Sequence, residues 1–289
     1  MVETSVMGAE TMCEIKNALK AVPLVEQYLQ HHLKEDQRWE NSFIKLQYDK
    51  RIKGKTFSLE DHLRAMVYSM LTSQTMWARI AKDIDPTSKR LIHVDEIFFQ
   101  YDPEKLVSCN PEEVIRELGR YKYGGQSRKA QVEAIVQTNV FKLMEFKDHS
   151  KSVDEYYAQI MENNGEIQAL IKTLSDEKSS NKLAQMGIPL VAEYLRNVGY
   201  DVAKPDRHIC RILGKDYLGC SEETIVPPYQ AMDIVADIAQ ELRWPQQKVD
   251  YALWAYCAQG YGEICTKAKP KCNKCAASAY CNHFAKEET

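Results

Sequence analysis

The chain has 289 residues, 44% of them hydrophobic, and a formal net charge of −3 from 38 basic and 41 acidic residues. No apolar stretch approaches the roughly 18–20 residues of a membrane span, and the opening MVETSVMGAETMCEIK lacks the basic, then apolar, run of a secretory signal. Five of the nine cysteines are scattered at odd spacing, and an odd total leaves at least one thiol unpaired, so the cysteines indicate no disulfide framework. We therefore expect an intracellular protein of the cytoplasm or nucleoid (the nucleus in a eukaryote), without membrane contact.

Helical periodicity dominates the chain and strand-like alternation is nearly absent, which predicts an all-α fold. The clearest apolar face recurs at i, i+3, i+4, i+7 and i+8 and consists of Leu63, Met66, Val67, Met70 and Leu71. Ser58, three residues before Asp61, is a suitable cap for this helix. Residues 132–136, 191–198 and 231–242 predict three further helices by the same spacing, and Gly199 should end the second of them.

Three short segments concentrate positive charge in a chain whose overall charge would not attract a polyanion. Residues 119–131 and 264–286 contain several lysines and arginines and no acid, and residues 203–215 contain four basic residues against Asp206. A single patch of this kind is often only a solvated surface. Because phosphate contact is a local electrostatic matter, three patches together indicate a candidate nucleic-acid surface.

The stretch 183–213 predicts a helical hairpin followed by an acidic residue. We expect Leu183 to end one helix, Gly187 to permit a tight turn, and Pro189 to lie in the first turn of the next helix. Such a hairpin presents backbone N–H groups and a helix N-terminus to a phosphate. Asp206 follows Pro205 and opens another helix, either as a simple cap or as a functional carboxylate.

Four cysteines near the end of the chain have the spacing C-x6-C-x2-C-x5-C and can converge on one metal centre; they are Cys265, Cys272, Cys275 and Cys281. Thiolates bind structural zinc as well as iron–sulfur clusters. Zinc sites more often show two C-x2-C pairs, whereas only Cys272 and Cys275 are so paired here. Spacing alone leaves both zinc and a cubane cluster open.

The hairpin, the sequence PDRHICRIL around Asp206 and the cysteine spacing together resemble the helix-hairpin-helix DNA glycosylase superfamily, in the branch of endonuclease III and the adenine glycosylases. KVDYALWAY at 248–256 resembles the helix before that family's cluster loop, and YSMLTSQT at 68–75 resembles the helix end whose glutamine enters DNA. The resemblance covers roughly residues 58–289. It implies a six-helix barrel domain with the hairpin and a second helical domain with a [4Fe–4S] cluster loop, with double-stranded DNA across the groove between them.

The resemblance also assigns boundaries and roles. Residues 1–55 would be an N-terminal extension that joins the cluster domain, residues 56–202 the barrel domain, and residues 203–289 the iron–sulfur domain. Asp206 would be catalytic, and the four cysteines would hold the cluster, which braces a basic loop without redox chemistry. The implied DNA contacts are Gln74 in the space left by a flipped base, Tyr121 as a wedge, Lys129, Gln185, Gly187, Lys267 and Lys271.

Three departures from the family pattern reduce the range of reactions that we expect. Pro189 occupies the position of the lysine nucleophile of bifunctional members, so a Schiff base by the family route is not expected. Gln185 replaces the first hairpin glycine. No acid occurs at 68–70, where adenine glycosylases carry a catalytic glutamate, so adenine excision is not expected.

We therefore predict a monomeric, monofunctional glycosylase that flips a damaged or modified base out of duplex DNA and hydrolyses its N-glycosidic bond with Asp206. Alkylated purines are favoured, because their weakened bond needs no second carboxylate; uracil, mismatched thymine and modified cytosine stay open. The alternatives are a bifunctional glycosylase and lyase that uses another lysine, a non-catalytic lesion-binding protein, and a zinc-stapled helical module without a DNA role.

Overall fold

The structure, a computed structural model, describes residues 15–72, 75, 80–164 and 166–287. Over these ranges all regular secondary structure is helical, and the only β-type pairing is an isolated antiparallel bridge between Ile84 and Leu91. The all-α fold predicted from periodicity is therefore confirmed. In the same ranges, no helix combines the length and apolar character that a bilayer crossing needs.

The described residues form two compact units. The cysteine unit contains residues up to Asn41 together with those from Asp201 onward, and the hairpin unit is Ser42–Tyr200. The structure thus groups residues 42–55 with the hairpin, whereas the sequence-based boundary at residue 55 joins them to the other domain.

The hairpin unit consists of ten described helices linked by short loops. They are α2 (Phe43–Ile52), α3 (Leu59–Thr72), α4 (Ile92–Ile97), α5 (Pro103–Ser108), α6 (Pro111–Tyr121), α7 (Arg128–Ala134), α8 (Val140–His149), α9 (Val153–Asn164), α10 (Ile167–Ser175) and α11 (Ile188–Asn197). A π-helical turn at Ile135–Asn139 joins α7 to α8.

The core of this unit follows the periodicity of the sequence. All five predicted residues of the α3 face are at most 1% exposed, and α3 packs against α11. The predicted cap is also present, since the Asp61 N–H donates to Ser58 Oγ at 3.2 Å. Each fully buried aliphatic side chain contributes about 1.5–3 kcal/mol relative to an exposed one, so this face contributes substantially to the stability of the unit.

Helices α2 and α11 approach closely at Gly199, the residue predicted to end α11. Its φ is +80°, and a Cβ there would lie 2.4 Å from the carbonyl oxygen of Gln47. Arg51 completes the contact by donating from Nε to the carbonyl of Val198 at 2.7 Å. A glycine is therefore required for both the backbone conformation and the close approach.

The cysteine unit is built around one buried helix. Its described helices are α1 (Lys16–His32), α12 (Arg207–Ile212), α13 (Pro228–Leu242), α14 (Gln246–Cys257) and α15 (Asn282–Glu287). Helix α14 contacts α1, α12 and α13, which explains why nearly all its side chains are buried. Beyond α14 the chain continues in irregular turns that contain the four motif cysteines, with single 3-10 turns at Cys272–Lys274 and Ser278–Tyr280.

Candidate active site and cysteine site

The predicted hairpin is present, but its first arm differs from the prediction. Helix α10 ends at Ser175, and Leu183 lies in an irregular segment instead of at a helix end. The polar run 176–181 favours turns, and Asp176 accepts a hydrogen bond from the backbone N–H of Lys178 at 2.9 Å. Leu183 is nonetheless fully buried, so burial and not helix formation accounts for its apolar character.

The tight turn of the hairpin depends on Gln185 and not, as predicted, on Gly187. Gln185 has a φ of +60°, the left-handed conformation that glycine favours, whereas Gly187 has a φ of −88°. A Cβ added to Gly187 would meet nothing within 4 Å. Folding therefore does not require a glycine at position 187. The lack of a side chain there leaves open space in front of the N-terminus of α11.

Two side chains hold the hairpin in place. The buried Asn139, in the π-helical turn, donates to the carbonyl of Ala184 at 3.0 Å and accepts from the N–H of Ala184 at 2.7 Å. Lys182 donates from Nζ to the carbonyls of Ser175 and Met186 at 3.3 and 3.2 Å and lies 3.2 Å from a carboxylate oxygen of Glu177. Neither brace follows from sequence spacing.

An open cavity of about 460 Å³ lies beside the hairpin. Its walls come from Ser175, Glu177, Lys182, Ala184, Gln185, Met186 and Gly187. Gly187 is also the N-cap of α11, so the cavity reaches the positive end of a ten-residue helix. Because helix N-termini stabilise anions, the two predicted hairpin contacts, Gln185 and Gly187, lie where a phosphate is favoured.

Asp206 is the N-cap of α12. Its Oδ1 accepts the backbone N–H of His208 at 2.7 Å and that of Ile209 at 3.1 Å. Within the described part of the chain both hydrogen bonds to this half-buried carboxylate engage Oδ1, which leaves Oδ2 available to another donor. The cap interpretation and the functional one are therefore compatible, because they use different oxygens.

The four motif cysteines line one small cavity of about 20 Å³. The other lining residues are Tyr217, Ile264, Pro270, Ser278, His283 and Phe284. The structure thus brings together the four thiols that the spacing predicts. In the described ranges, no group of three or more histidine, cysteine, aspartate or glutamate side chains meets the geometric requirements of a site for one metal ion.

Two donors from neighbouring helices contact the motif sulfurs. Arg211 of α12 donates to the Cys265 carbonyl at 2.6 Å and lies 3.7 Å from its Sγ. Tyr256 of α14 donates to Cys275 Sγ at 3.5 Å while it accepts the N–H of Ala276 at 2.8 Å. Hydrogen bonds of this kind stabilise thiolates and orient metal ligands.

A fifth cysteine, Cys257, joins this group. A hydrogen bond from the Cys257 thiol lowers the pKa of the Cys265 thiol, and the charge of Arg211 lowers that pKa further. Cys257, Arg211 and Tyr256 were all missed by sequence reasoning. The motif spacing shows which cysteines are clustered along the chain, but it does not show which residues the fold brings to them.

Acidic side chains lie closer to the lysines of the basic patches than the sequence suggests. Lys129 lies 3.4 Å from Glu112 and 3.8 Å from Glu133, although residues 119–131 contain no acid. Lys271 lies 3.8 Å from Glu263, just before the third patch. Lys267 is exposed. Packing α6 against α7 brings Glu112 to Lys129, and Glu133 lies four residues further along α7, so the sequence-based charge of that patch was overestimated.

Of the two residues expected at a flipped base, the structure describes Tyr121 but not Gln74. Tyr121, the last residue of α6, is 37% exposed and stacks on His93 with ring centroids 4.6 Å apart. Its ring is therefore accessible on a described surface of the hairpin unit, and the wedge role stays a prediction. Gln74 lies outside the described residues.

Comparison with known proteins gives a likeness of fold. Neither a family model nor a curated protein matches the chain. The crystal structure of the 8-oxoguanine DNA glycosylase of Methanocaldococcus jannaschii is similar, with a TM-score of 0.50 and 20% identity, over 84% of this chain and 95% of that one. The two chains therefore share a helical fold over most of their lengths.

Proposed function

We propose that the chain is a monofunctional DNA glycosylase that hydrolyses the N-glycosidic bond of a damaged or modified base in duplex DNA. The likeness of its fold to an 8-oxoguanine DNA glycosylase carries the proposal. The hairpin at 183–197 and the carboxylate of Asp206 support it, because they are the two groups such a reaction needs: a phosphate anchor and a charge near the sugar.

Asp206 would stabilise the cation-like sugar and orient the attacking water. Its two backbone hydrogen bonds fix the carboxylate through Oδ1, which leaves Oδ2 to accept a proton or face the positive charge. At ~4 Å and an effective dielectric near ~20, such a charge pair contributes about 4 kcal/mol. That corresponds to roughly a thousandfold in rate, so one carboxylate can supply much of the catalysis.

The lyase step is absent from this proposal because the hairpin supplies no suitable amine. Pro189 is the second residue of α11 and has no side-chain nitrogen. The ammonium of Lys182 is held by two carbonyls and Glu177, which supports a bracing role and disfavours a nucleophilic one. The enzyme would therefore leave an abasic site in an intact strand.

We further propose that Cys265, Cys272, Cys275 and Cys281 hold a [4Fe–4S] cluster. Four thiols around one cavity fit the ligand set of such a cluster, and the donors Arg211 and Tyr256 suit sulfurs that carry negative charge. When bound, the cluster would brace the loop that carries Lys267 and Lys271. Iron and sulfide in an anaerobically purified sample support this assignment; stoichiometric zinc contradicts it.

The excised base is a separate question. The similar crystal structure is of an enzyme named for 8-oxoguanine, whereas the single motif carboxylate favours alkylated purines, whose bond is already weakened. A panel of duplexes should therefore include 8-oxoguanine, alkylated purines, uracil, mismatched thymine and modified cytosine. Strand breakage only after hot alkali identifies an abasic product.

The decisive variant is Asp206→Asn, which keeps a capping oxygen and removes the charge. On the base selected by the panel, we expect base release to fall by about a thousandfold while DNA affinity is unchanged or slightly higher. Glu222→Gln, a surface change in the same unit, is the matched control and should keep full activity. An active Asn variant removes Asp206 from the mechanism, and a borohydride-trapped adduct would instead reveal a lysine nucleophile.

A further inference from the structure

Cys257 is a buried thiol outside the four-cysteine motif, yet it lies against the first motif cysteine. It ends α14, is 3% exposed, and its Sγ lies 3.6 Å from the guanidinium of Arg211, which also contacts the Sγ of Cys265. Nothing in the proposed glycosylase reaction uses it. The described part of the cysteine unit therefore places five thiols, and not four, in one neighbourhood.

The backbone of the two cysteines is also close. The N–H of Cys265 donates to the carbonyl of Tyr256 at 3.2 Å, and Tyr256 immediately precedes Cys257. A disulfide requires neighbouring Cα atoms and side chains that point towards each other. The backbone hydrogen bond meets the first condition, and the second is met because both sulfurs lie within 3.7 Å of one guanidinium, that of Arg211.

Arg211 holds both sulfurs in position. Its guanidinium lies 3.6 Å from Cys257 Sγ and 3.7 Å from Cys265 Sγ, while it donates to the Cys265 carbonyl at 2.6 Å and stacks on Tyr217 at 4.6 Å. The thiol of Cys210, another buried cysteine, instead donates to the carbonyl of Pro205. The paired geometry thus distinguishes Cys257 from Cys210.

We propose that Cys257 and Cys265 form a disulfide site that closes when Cys265 carries no metal. The oxidant is a peroxide. The Cys265 sulfur, which faces the cavity, attacks one peroxide oxygen, the O–O bond breaks, and the products are a sulfenic acid and water. The Cys257 sulfur then attacks the sulfenic sulfur, the S–O bond breaks, and a second water leaves. Two thiols and one hydrogen peroxide thus give one disulfide and two waters.

Closure of this site would protect Cys265 from irreversible oxidation. A sulfenic acid without a neighbouring thiol proceeds to sulfinic and sulfonic acids, whereas a disulfide is returned to two thiols by a dithiol reductant. The cluster site could then be refilled after oxidative loss. Refilling rests on the proposed cofactor, but disulfide formation does not.

Peptide mapping tests the inference directly. Trypsin cleavage after Lys248 and Lys267 releases residues 249–267, VDYALWAYCAQGYGEICTK, which contain both cysteines and no other. The full-length protein is treated with hydrogen peroxide and an iron chelator, alkylated with iodoacetamide and digested. We expect this peptide to be lighter by two hydrogens and free of alkylation, and doubly alkylated when dithiothreitol precedes alkylation. An alkylated Cys257, or Cys265 bonded to another cysteine, overturns the proposal.

A variant distinguishes disulfide formation between Cys257 and Cys265 from general oxidation of the cysteines. In Cys257→Ser we expect Cys265 to be recovered as sulfinic or sulfonic acid, with loss of cluster absorbance that dithiothreitol, iron and sulfide do not restore. Cys109→Ser, in the hairpin unit, is the matched control and should behave as wild type. Iron is measured before oxidation. A protein without iron contradicts the proposed cofactor, yet the disulfide is still read from the wild-type peptide, so the two failures are distinct.

Discussion

Two residues of the hairpin differ in backbone strain and in the space around them. Gln185 adopts the left-handed backbone conformation without being glycine, which costs about 1–2 kcal/mol, while two residues later Gly187 adopts an ordinary conformation with empty space around it. Folding alone would favour the opposite arrangement. The backbone strain at Gln185 and the open space at Gly187 can therefore be tested by separate substitutions.

A substitution at Gln185 tests the backbone strain. Gln185→Gly should stabilise the protein by about 0.5–1 kcal/mol, because relief of strain exceeds the entropic cost of glycine, and raise Tm by about 1–4 °C. Calorimetry of the two proteins measures this shift. An unchanged or lower Tm would show that the side chain of Gln185 stabilises the turn by other contacts.

Gly187→Ala tests the open space instead. Its φ of −88° and the absence of atoms within 4 Å predict a stability that is unchanged or about 0.5 kcal/mol higher. DNA affinity should fall, because the added methyl group occupies the space in front of the α11 N-terminus. Filter binding of one duplex to both proteins decides this, and equal affinities would place the phosphate elsewhere.

Among helices and turns, the hairpin depends on an element that is distant in sequence. The π-helical turn between α7 and α8 orients Asn139 so that one amide satisfies both backbone groups of Ala184. Such turns frequently occur at functional sites, because they redirect a side chain that a regular helix would place differently. The shape of the hairpin is thus set by the π-helical turn as well as by its own residues.

Asn139→Ala should therefore weaken DNA binding through the hairpin. It removes two hydrogen bonds and leaves two partly buried backbone groups of Ala184 unpaired, so we expect a loss of about 2–3 kcal/mol in unfolding free energy. Asn197→Ala is the control, since it removes another buried amide of the same unit, one at the C-terminal end of α11 that bonds to Ala65 and not to the turn at 184–187. Urea unfolding should show both variants destabilised, and only Asn139→Ala should lose DNA affinity.

At the scale of the whole molecule, we expect titratable side chains to affect the free energy of unfolding and charged side chains to affect DNA binding. The hairpin unit buries His62 with its Nδ1 2.7 Å from the Tyr194 hydroxyl and its Nε2 3.3 Å from Asp154, which also pairs with Arg51 at 2.7 Å. Burial lowers the pKa of His62. The pKa of Asp154 is also lowered: burial opposes the shift, but His62 and Arg51 outweigh it.

Acid should accordingly destabilise the protein from pH 6.5 downward, the ordinary histidine value. Below that pH the unfolded chain binds a proton at His62 and the folded chain does not, so stability falls by up to about 1.4 kcal/mol per pH unit for this group. His208, whose pKa burial also lowers, adds a smaller contribution in the cysteine unit, because its side chain is only partly buried. Asp154 contributes only at lower pH, as the unfolded carboxylate takes up its proton near its ordinary value of 3.8.

Urea unfolding at several pH values measures this slope. His62→Gln should reduce the slope below pH 6.5 by about one proton, and His93→Gln, an exposed histidine, should leave it unchanged. A His62→Gln protein with the wild-type slope would show that the buried histidine is already protonated in the folded state.

DNA binding should depend steeply on salt, because the net charge of −3 leaves only local patches to contact phosphates. Lys271→Ala should reduce the log–log salt slope by about 0.9 and weaken all sequences similarly. Lys129→Ala should reduce it less, since Lys129 lies near two glutamates and Lys271 near one. A slope near zero in the wild type would mean that the patches are only solvated surfaces.

The sequence by itself determined the helical fold, the buried face of α3, the end of α11 at Gly199, the cap at Asp206 and the convergence of four cysteines. These features depend on local periodicity, backbone preference or short spacing, which are all readable along the chain. Only the tertiary structure decided that Gln185 and not Gly187 makes the turn, that Asn139 and Lys182 brace the hairpin, that glutamates compensate Lys129, and that Cys257 and Arg211 adjoin Cys265. The contacts of Asn139 with Ala184, of Glu112 with Lys129 and of Arg211 with Cys265 join residues far apart in sequence. Packing, which no local pattern encodes, determines which of those residues meet.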